Sequence, residues 1–314
     1  MPKLKMNISA QPQAGRGRMR NCLASLTIAT LALVPVSSAT AQNFSTDVGS
    51  SERINLAQQL GTLTQRIIAS ACNVNAGVAV RESAAVLRIS ASQYERINDA
   101  LLHGNRGFGI LGEENRPRTL QAISGLAEVW TPLQSEALTA EISAGQDDMI
   151  ASIAVQSDPV LEEVSILVSE ITAQYADPVA LLHADALLID IAGRQRLLAQ
   201  RMSKDVCLIA SGIEVDAARE ELVATIALFD TSLNGLANGV ESVGLLPPPT
   251  PKIAEGLQFV TDEWSKIRAT LDEVVAGTQI DDTARAELFG AFLGMEARMN
   301  NVVFMYASNS KLDL

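Results

Sequence analysis

Aromatic residues make up only 4% of this 314-residue chain, histidine occurs twice and cysteine three times. Each scarcity closes off a class of function. His103 and His183 stand at unrelated places, no His/Cys/Glu spacing suits zinc, and no C-x-x-C-H marks an attached haem. Neither a metal nor a cofactor is therefore expected. A G-x-S-x-G nucleophile turn and a Walker loop are both missing. Gly107, Gly109 and Gly112 imitate a glycine loop only superficially, because they follow a helix-like stretch rather than a strand. Asp147-Asp148 and Asp281-Asp282 stand where helices start, which is where acidic side chains complement the helix dipole. Glu162-Glu163 reads as a solvated face. Nothing in this inventory points to an enzyme.

Positive charge is also in short supply, and part of it is confined to one end. Lys3, Lys5, Arg16, Arg18 and Arg20 precede an apolar run from Leu23 to Val36, and Ala39-Thr40-Ala41 follows as an A-x-A site. The run is shorter than the ~20 residues a membrane span needs. Residues 1–41 are thus expected to be a secretory signal peptide, cleaved before Gln42; an uncleaved anchor is the other reading. Five of the 24 Lys and Arg fall in this segment and none of the 36 Asp and Glu, so the remainder keeps 19 basic residues and a net charge of −17. Such a surface repels nucleic acid and anionic membranes. With no later run long enough to span a bilayer, the expected product is a soluble periplasmic protein.

Strand signals are poor, because alternating runs closed by Asn-Gly or Asp-Gly do not stand out. What is abundant is Ala, Leu, Ile and Val, which suits the thin aliphatic cores of helix bundles. Helices are expected at 50–75, 82–103, 117–143 and 147–175, and again at 178–211, 215–238, 251–276 and 282–308. Gly77 and Gly212 punctuate the ends of the first helix of each set. Asp177-Pro178 has the form of an N-cap followed by proline at the first helical position.

These eight stretches fall into two sets because the chain writes one helix twice. Ile54-Asn-Leu-Ala-Gln-Gln-Leu-Gly-Thr-Leu-Thr-Gln-Arg66 returns 135 positions later as Ile189-Asp-Ile-Ala-Gly-Arg-Gln-Arg-Leu-Leu-Ala-Gln-Arg201. The match continues through Cys72 and Cys207, Tyr94 and Phe229, and Leu101 and Leu236. Trp130 returns as Trp264 one residue short; both are expected to anchor a core. A repeat of this length is a domain, so the expected organisation is 42–176 as a first four-helix domain and 177–314 as a second. The fold class is all-α, with two tandem four-helix bundles. Antiparallel up-and-down helices return the chain to its starting end, which favours bundles side by side as an intrachain pseudo-dimer over an end-to-end rod.

The second copy of the helix carries the chemistry. Leu187, Ile191, Leu198, Met202 and Ile209 keep core spacing. Asp190 with Arg194, and Arg201 with Asp205, have the i,i+4 spacing of helix-surface ion pairs. Arg196, Gln200, Ser203 and Cys207 share another face. A guanidinium fork beside an amide and a hydroxyl can hold a small planar oxyanion, because Arg meets two oxygens at once. The same residues also fit a plainly solvated face.

The Gly193-x-x-Arg196…Arg201 pattern resembles the first helix of the PilJ-type sensor domain of type IV pilus chemotaxis transducers, and the P-box of NarX-like nitrate and nitrite sensor kinases. The resemblance implies a dimerising four-helix bundle that grips nitrate or nitrite between its two first helices. It makes Arg196 the ligand Arg, Gly193 the residue allowing close helix approach, and Arg201 the second motif Arg. Gln200, its counterpart Gln65, and Arg66, the counterpart of Arg201, complete the candidate ligand-binding set. The first copy departs from the pattern: Gly61 stands in place of Arg196, Gln58 in place of Gly193 and Gln59 in place of Arg194. A pseudo-dimer then offers one ligand Arg, which implies either a ligand larger than nitrate that fills the space beside Gly61 or a lapsed site. No second span, signalling hairpin or kinase module follows, so the expected partner is a membrane transducer or sensor kinase. A structural protein docking on an envelope, pilus or chemotaxis component is the alternative. Cys72 and Cys207, at equivalent positions in an oxidising compartment, are candidates for an inter-repeat disulfide; two buried thiols are the other reading.

Overall fold

The computed structural model describes residues 49–140, 145–175 and 183–310. The expected signal peptide, the Asp177-Pro178 helix start and the boundary between 176 and 177 lie outside these residues. Regular structure within them consists of α-helices and two single 3-10 turns, so the chain is all-α. The helices are α1 (Ser50–Asn75), α2 (Val80–His103), α3 (Pro117–Ala140), α4 (Asp147–Val155), α5 (Ser157–Tyr175), α6 (His183–Ser211), α7 (Val215–Asn238), α8 (Pro251–Val275) and α9 (Asp282–Ser310). The stretch expected as one helix over 147–175 is two. Pro159 lacks an N–H and crowds the carbonyl four residues back, at Val155, where α4 ends.

The apolar spacing explains the packing. On α2 the buried positions include Leu87, Tyr94, Ile97 and Leu101; on α7, Leu222, Phe229 and Leu236 stand 135 residues on. The local turns repeat at the same offset. Gly77 and Gly212 adopt φ of 76° and 75°, a left-handed conformation that glycine takes without a Cβ penalty and that closes α1 and α6. Two residues later Ala79 and Glu214 are also left-handed, at φ 43° and 45°. The short bridges Asn105–Ile110 and Val240–Leu245 match as well.

Helices α2, α3, α4 and α5 gather around α1, while α7, α8 and α9 gather around α6. The two groups meet where α1 lies along α6. Gln58 Nε2 donates to Asp190 Oδ1 at 2.8 Å near one end of this seam, and Cys72 lies beside Cys207 near the other. The order of these contacts makes α1 and α6 parallel and the two groups side by side. Cys72 and Cys207 are joined as a disulfide in the structure, with Cα atoms 6.2 Å apart. Both tryptophans sit in the core: Trp130 stacks on Tyr94 with ring centroids 3.6 Å apart, and Trp264 lies 4.6 Å from Phe229. Each indole N–H reaches a carboxylate, Glu95 and Asp230 respectively.

One buried polar cluster belongs to the first half alone. Glu114 accepts from the Tyr175 hydroxyl at 2.5 Å and pairs with Arg53 at 3.4 Å, while Arg53 also donates to the carbonyls of Leu101 and Gly112. This cluster ties the 104–116 loop to α1 and α5. Leu188 and Pro249, 135 residues on from Arg53 and Glu114, cannot form it.

Candidate functional site

The motif residues of α6 are almost all inside. Arg196 is 1% exposed, which removes the solvated-face reading. Its side chain leans back along the helix, as helical side chains do, so that Nε donates to the Gly193 carbonyl at 3.1 Å. Nη1 donates to Asn300 Oδ1 on α9 at 2.8 Å. Nη2 is buried and has no hydrogen-bond partner among the described residues. A Cβ added to Gly193 would stand 2.6 Å from Gln58 Oε1 and 3.3 Å from Arg196 Nη2. Glycine is therefore what lets Gln58 of α1 approach α6 here, and what gives the guanidinium its place at the seam. Gln58 Oε1 is likewise buried without a partner.

Burial makes this cation costly, and the Arg196 guanidinium is pulled down to about 10 by loss of solvent, with Glu296 opposing. Glu296 is the neighbouring carboxylate, yet both of its oxygens bond to Arg66 Nη1 across the α1–α9 contact, at 3.0 and 3.1 Å. Burial raises the Glu296 carboxyl, while Arg66 and then Arg196 hold it down. Arg66 thus holds the carboxylate, and Arg196 feels only its charge in a poorly solvated seam, where an unpaired charge costs far more than at the surface.

Arg196 forms part of the wall of a cleft of about 430 Å³ between α1, α6 and α9. Asn55, Gln59 and Asn300 give it amide groups; Phe108, Val303 and Phe304 give it apolar area. Asn55 Oδ1 is also buried without a partner. Gly61 is elsewhere. It lines a smaller cleft of about 220 Å³ on the other side of the seam, with Gln58, Gly193 and residues of α5. A Cβ at Gly61 would meet Leu161, Val164 and Leu197, not Arg196. The expected vacancy opposite Arg196 is thus not formed, because Arg196 turns toward Gly193 and α9.

The remaining candidates are not brought to this cleft. Gln65 donates to Ser157 Oγ at 2.7 Å, and Gln200 to the Phe292 carbonyl at 3.3 Å. Arg66 is occupied by Ser90, Gln93 and Glu296. Arg201 pairs with Glu221 on α7, which corrects the expected Arg201–Asp205 surface pair. Asp205 is fully buried, and Lys204 Nζ lies 3.3 Å from its Oδ1 without hydrogen-bond alignment. Burial raises the Asp205 carboxyl well above the usual range, with Lys204 opposing. The Asp190–Arg194 pair is present at 3.0 Å. Asn300 and Asn55 were invisible to a reading centred on the α6 motif. Only the 135-residue offset, which sets Asn300 against Ser165, flags a difference between the halves at that position.

No group of three or more His, Cys, Asp or Glu residues capable of holding a metal occurs among the described residues, and none of the described helices is long and apolar enough to cross a membrane. The family model for the N-terminal domain of type IV pili methyl-accepting chemotaxis transducers matches residues 180–288, a stretch holding α6, α7, α8 and the start of α9. Methyl-accepting chemotaxis protein McpN of Pseudomonas aeruginosa is 29% identical over 123 residues, covering 39% of this chain. The chain spans 22% of that relative's length. The second half is thus similar to a sensory, chemotaxis-related domain, from a family of signalling rather than catalytic modules.

Proposed function

We propose that this chain is a periplasmic sensor-type protein, exported by a cleaved signal peptide, in which two tandem copies of a PilJ-type domain form a fused dimer. It binds a small anion beside its first helices and passes the bound state to a separate transducer or sensor kinase. One observation carries the reading: Arg196, inside the stretch that matches the transducer family, is a buried guanidinium with a free Nη2 and no carboxylate of its own. An oxyanion accepting from it would relieve a desolvated charge. The NarX-like arrangement, with an Arg from each of two first helices, is reduced here to one Arg because Gly61 replaces the other.

Isothermal calorimetry of the chain with nitrate, nitrite and a panel of small anions tests this. Binding of one or more anions, lost in Arg196→Ala, is the expected result. A second reading is favoured by a specific fact: Arg66 and Arg201, the Arg pair kept in both copies, are both committed to internal ion pairs. On that reading the bundle is a structural or docking module of an envelope, pilus or chemotaxis assembly. The absence of binding to every anion in the panel would favour it.

A further inference from the structure

The two sulfurs of the Cys72–Cys207 disulfide stand in unlike surroundings. Cys72 lies near the end of α1 and Cys207 near the end of α6, so the negative helix ends act on both alike. Cys207 alone is known to have a cation against it: Arg285 Nη2 on α9 donates to Cys207 Sγ at 3.6 Å in a buried contact. The same nitrogen donates to Ser211 Oγ at 2.7 Å. In the first half the counterpart of Arg285, 135 positions earlier, is the fully buried Ile150. Burial pulls the Arg285 guanidinium below its ordinary value, with Asp282 opposing, so a negative charge beside it is favoured. The neighbouring charges are engaged elsewhere. Asp282 lies 3.5 Å from Arg285 Nη1 on the exposed side, and Asp147 of α4 accepts from Asn75 Nδ2 at 2.8 Å. Lys204 and Asp205 face Glu221 of α7.

The bond is buried, yet it lies one side chain beneath the end of the bundle. Ser211 Oγ is 3.8 Å from Cys72 Sγ and 4.0 Å from Cys207 Sγ, and Ser211 itself is half-buried. The turns that follow α1 and α6 are bare, since a Cβ added at Gly77 or Gly212 would meet nothing within 4 Å. Helix ends open at far lower cost than helix centres. Fraying of the last turn of α6 therefore moves Ser211 and uncovers the sulfurs.

We propose that this disulfide is a thiol–disulfide exchange site for a dithiol reductant, with Cys72 as the sulfur attacked and Cys207 as the leaving thiolate, received by Arg285. The reductant's thiolate bonds to Cys72 Sγ, the Cys72–Cys207 bond breaks, and its electron pair stays on Cys207 Sγ. The reductant's second thiol loses its proton to solvent and attacks the reductant sulfur of the mixed disulfide. Cys72 leaves as a thiolate and takes up a proton, and the reductant departs as a disulfide, so two electrons pass to the chain. A thiol of lower pKa leaves faster, and an adjacent guanidinium lowers it. After exchange the seam keeps its Gln58–Asp190 bond at one end and loses its covalent tie at the other.

Three measurements on the whole chain test this. Dithiothreitol opens the bond without denaturant while circular dichroism still reports the folded bundle; a bond that resists until denaturant is added overturns the proposal. Brief exposure to reduced glutathione, quenched with N-ethylmaleimide and read by peptide mass spectrometry, places glutathione on Cys72 and maleimide on Cys207. The reverse pattern, or an equal split, overturns the assignment without any variant. In the reduced chain, iodoacetamide alkylates Cys207 about threefold faster than Cys72 at pH 7. That factor follows from a thiol pKa lowered by about one, which raises the thiolate fraction about tenfold while the accompanying fall in nucleophilicity takes back roughly threefold. Arg285→Ala removes both preferences and Arg285→Lys restores them in part, whereas a residue that only fills space would move neither. Equal alkylation of the two cysteines in the reduced native chain overturns the role of Arg285.

Discussion

The two clefts that flank the α1–α6 seam occupy matching places in the repeat and differ in almost every side chain that matters. On one side stand Arg196, Asn300 and Phe304; 135 positions earlier, on the other, stand Gly61, Ser165 and Ser169. The first cleft holds about 430 Å³ and a buried cation, the second about 220 Å³ and no charge from these three positions. The scaffold around them is nearly the same, with matching glycine ends, left-handed residues and aromatic pairs. The difference teaches that similar packing in the two halves does not bring similar chemistry: the buried cation stands in one half. An unpaired buried guanidinium is expensive, and of these two matching positions only Arg196 carries one.

The comparison can be broken most strongly at the element that both halves share. Reducing the Cys72–Cys207 disulfide, or replacing both residues with serine, releases a 135-residue loop and is expected to cost about 5 kcal/mol of stability on the loop-closure account. Urea denaturation with and without reductant measures it, and unchanged midpoints would mean that the halves need no staple. Thiol counting on denatured, unreduced protein should find neither cysteine reactive.

A smaller effect should follow from Glu296→Gln, which acts on one side only. It leaves Arg66 without its ion-pair partner and Arg196 without the nearby negative charge, and about 3 kcal/mol of destabilisation is expected. Added anion should recover part of that loss in thermal melts, because Arg196 then has a stronger need for a counter-charge. Leu161, the matching residue of the first half, should give no anion-dependent recovery when replaced by alanine.

Making the two clefts alike is the sharper manipulation. Arg196→Gly copies the first half and should weaken anion binding at least tenfold, in line with roughly 1.5–3 kcal/mol for a hydrogen bond to a charged group. The converse double substitution Gly61→Arg with Ser165→Asn should add a second, weaker binding event in calorimetry. If neither change alters binding, the two clefts do not differ in the way their residues imply.

The smallest expected effect concerns Asp205, whose counterpart in the first half is the uncharged Ser70. Its folded carboxyl is raised, so the folded state binds a proton more tightly than the unfolded chain. Stability from this group is therefore present at low pH and lost as pH rises from the ordinary carboxyl range through the raised value. Asp205→Asn should remove that loss and raise Tm by about 2–4 °C at pH 8, with little change at pH 4. A uniform shift at all pH values would contradict the assignment.

Much of the fold was legible because it is written in spacing. Period-3.6 apolar residues and glycine helix ends mark the helices to within a few residues, and the up-and-down return of four helices favours the side-by-side order. Pro159 was visible too, and its effect on the 147–175 stretch was missed because apolar spacing continues across it. The site was legible only in part. Arg196 and Gly193 follow from the motif, but the direction in which Arg196 leans depends on Asn300, which is 104 residues away and bears no motif. Arg66 and Arg201 enter the candidate set through the motif resemblance, and the same retention fits packing equally well. Their partners Glu296 and Glu221 lie on other helices, and sequence order alone does not bring those carboxylates to them.

The most direct test of the central claim is the stoichiometry of anion binding per chain, measured by calorimetry on the native chain and on Arg196→Ala with nitrate and nitrite as probes. One site per chain in the native protein and none in the variant is the predicted result. Binding that survives loss of Arg196, or two equal sites in the native chain, would contradict the account.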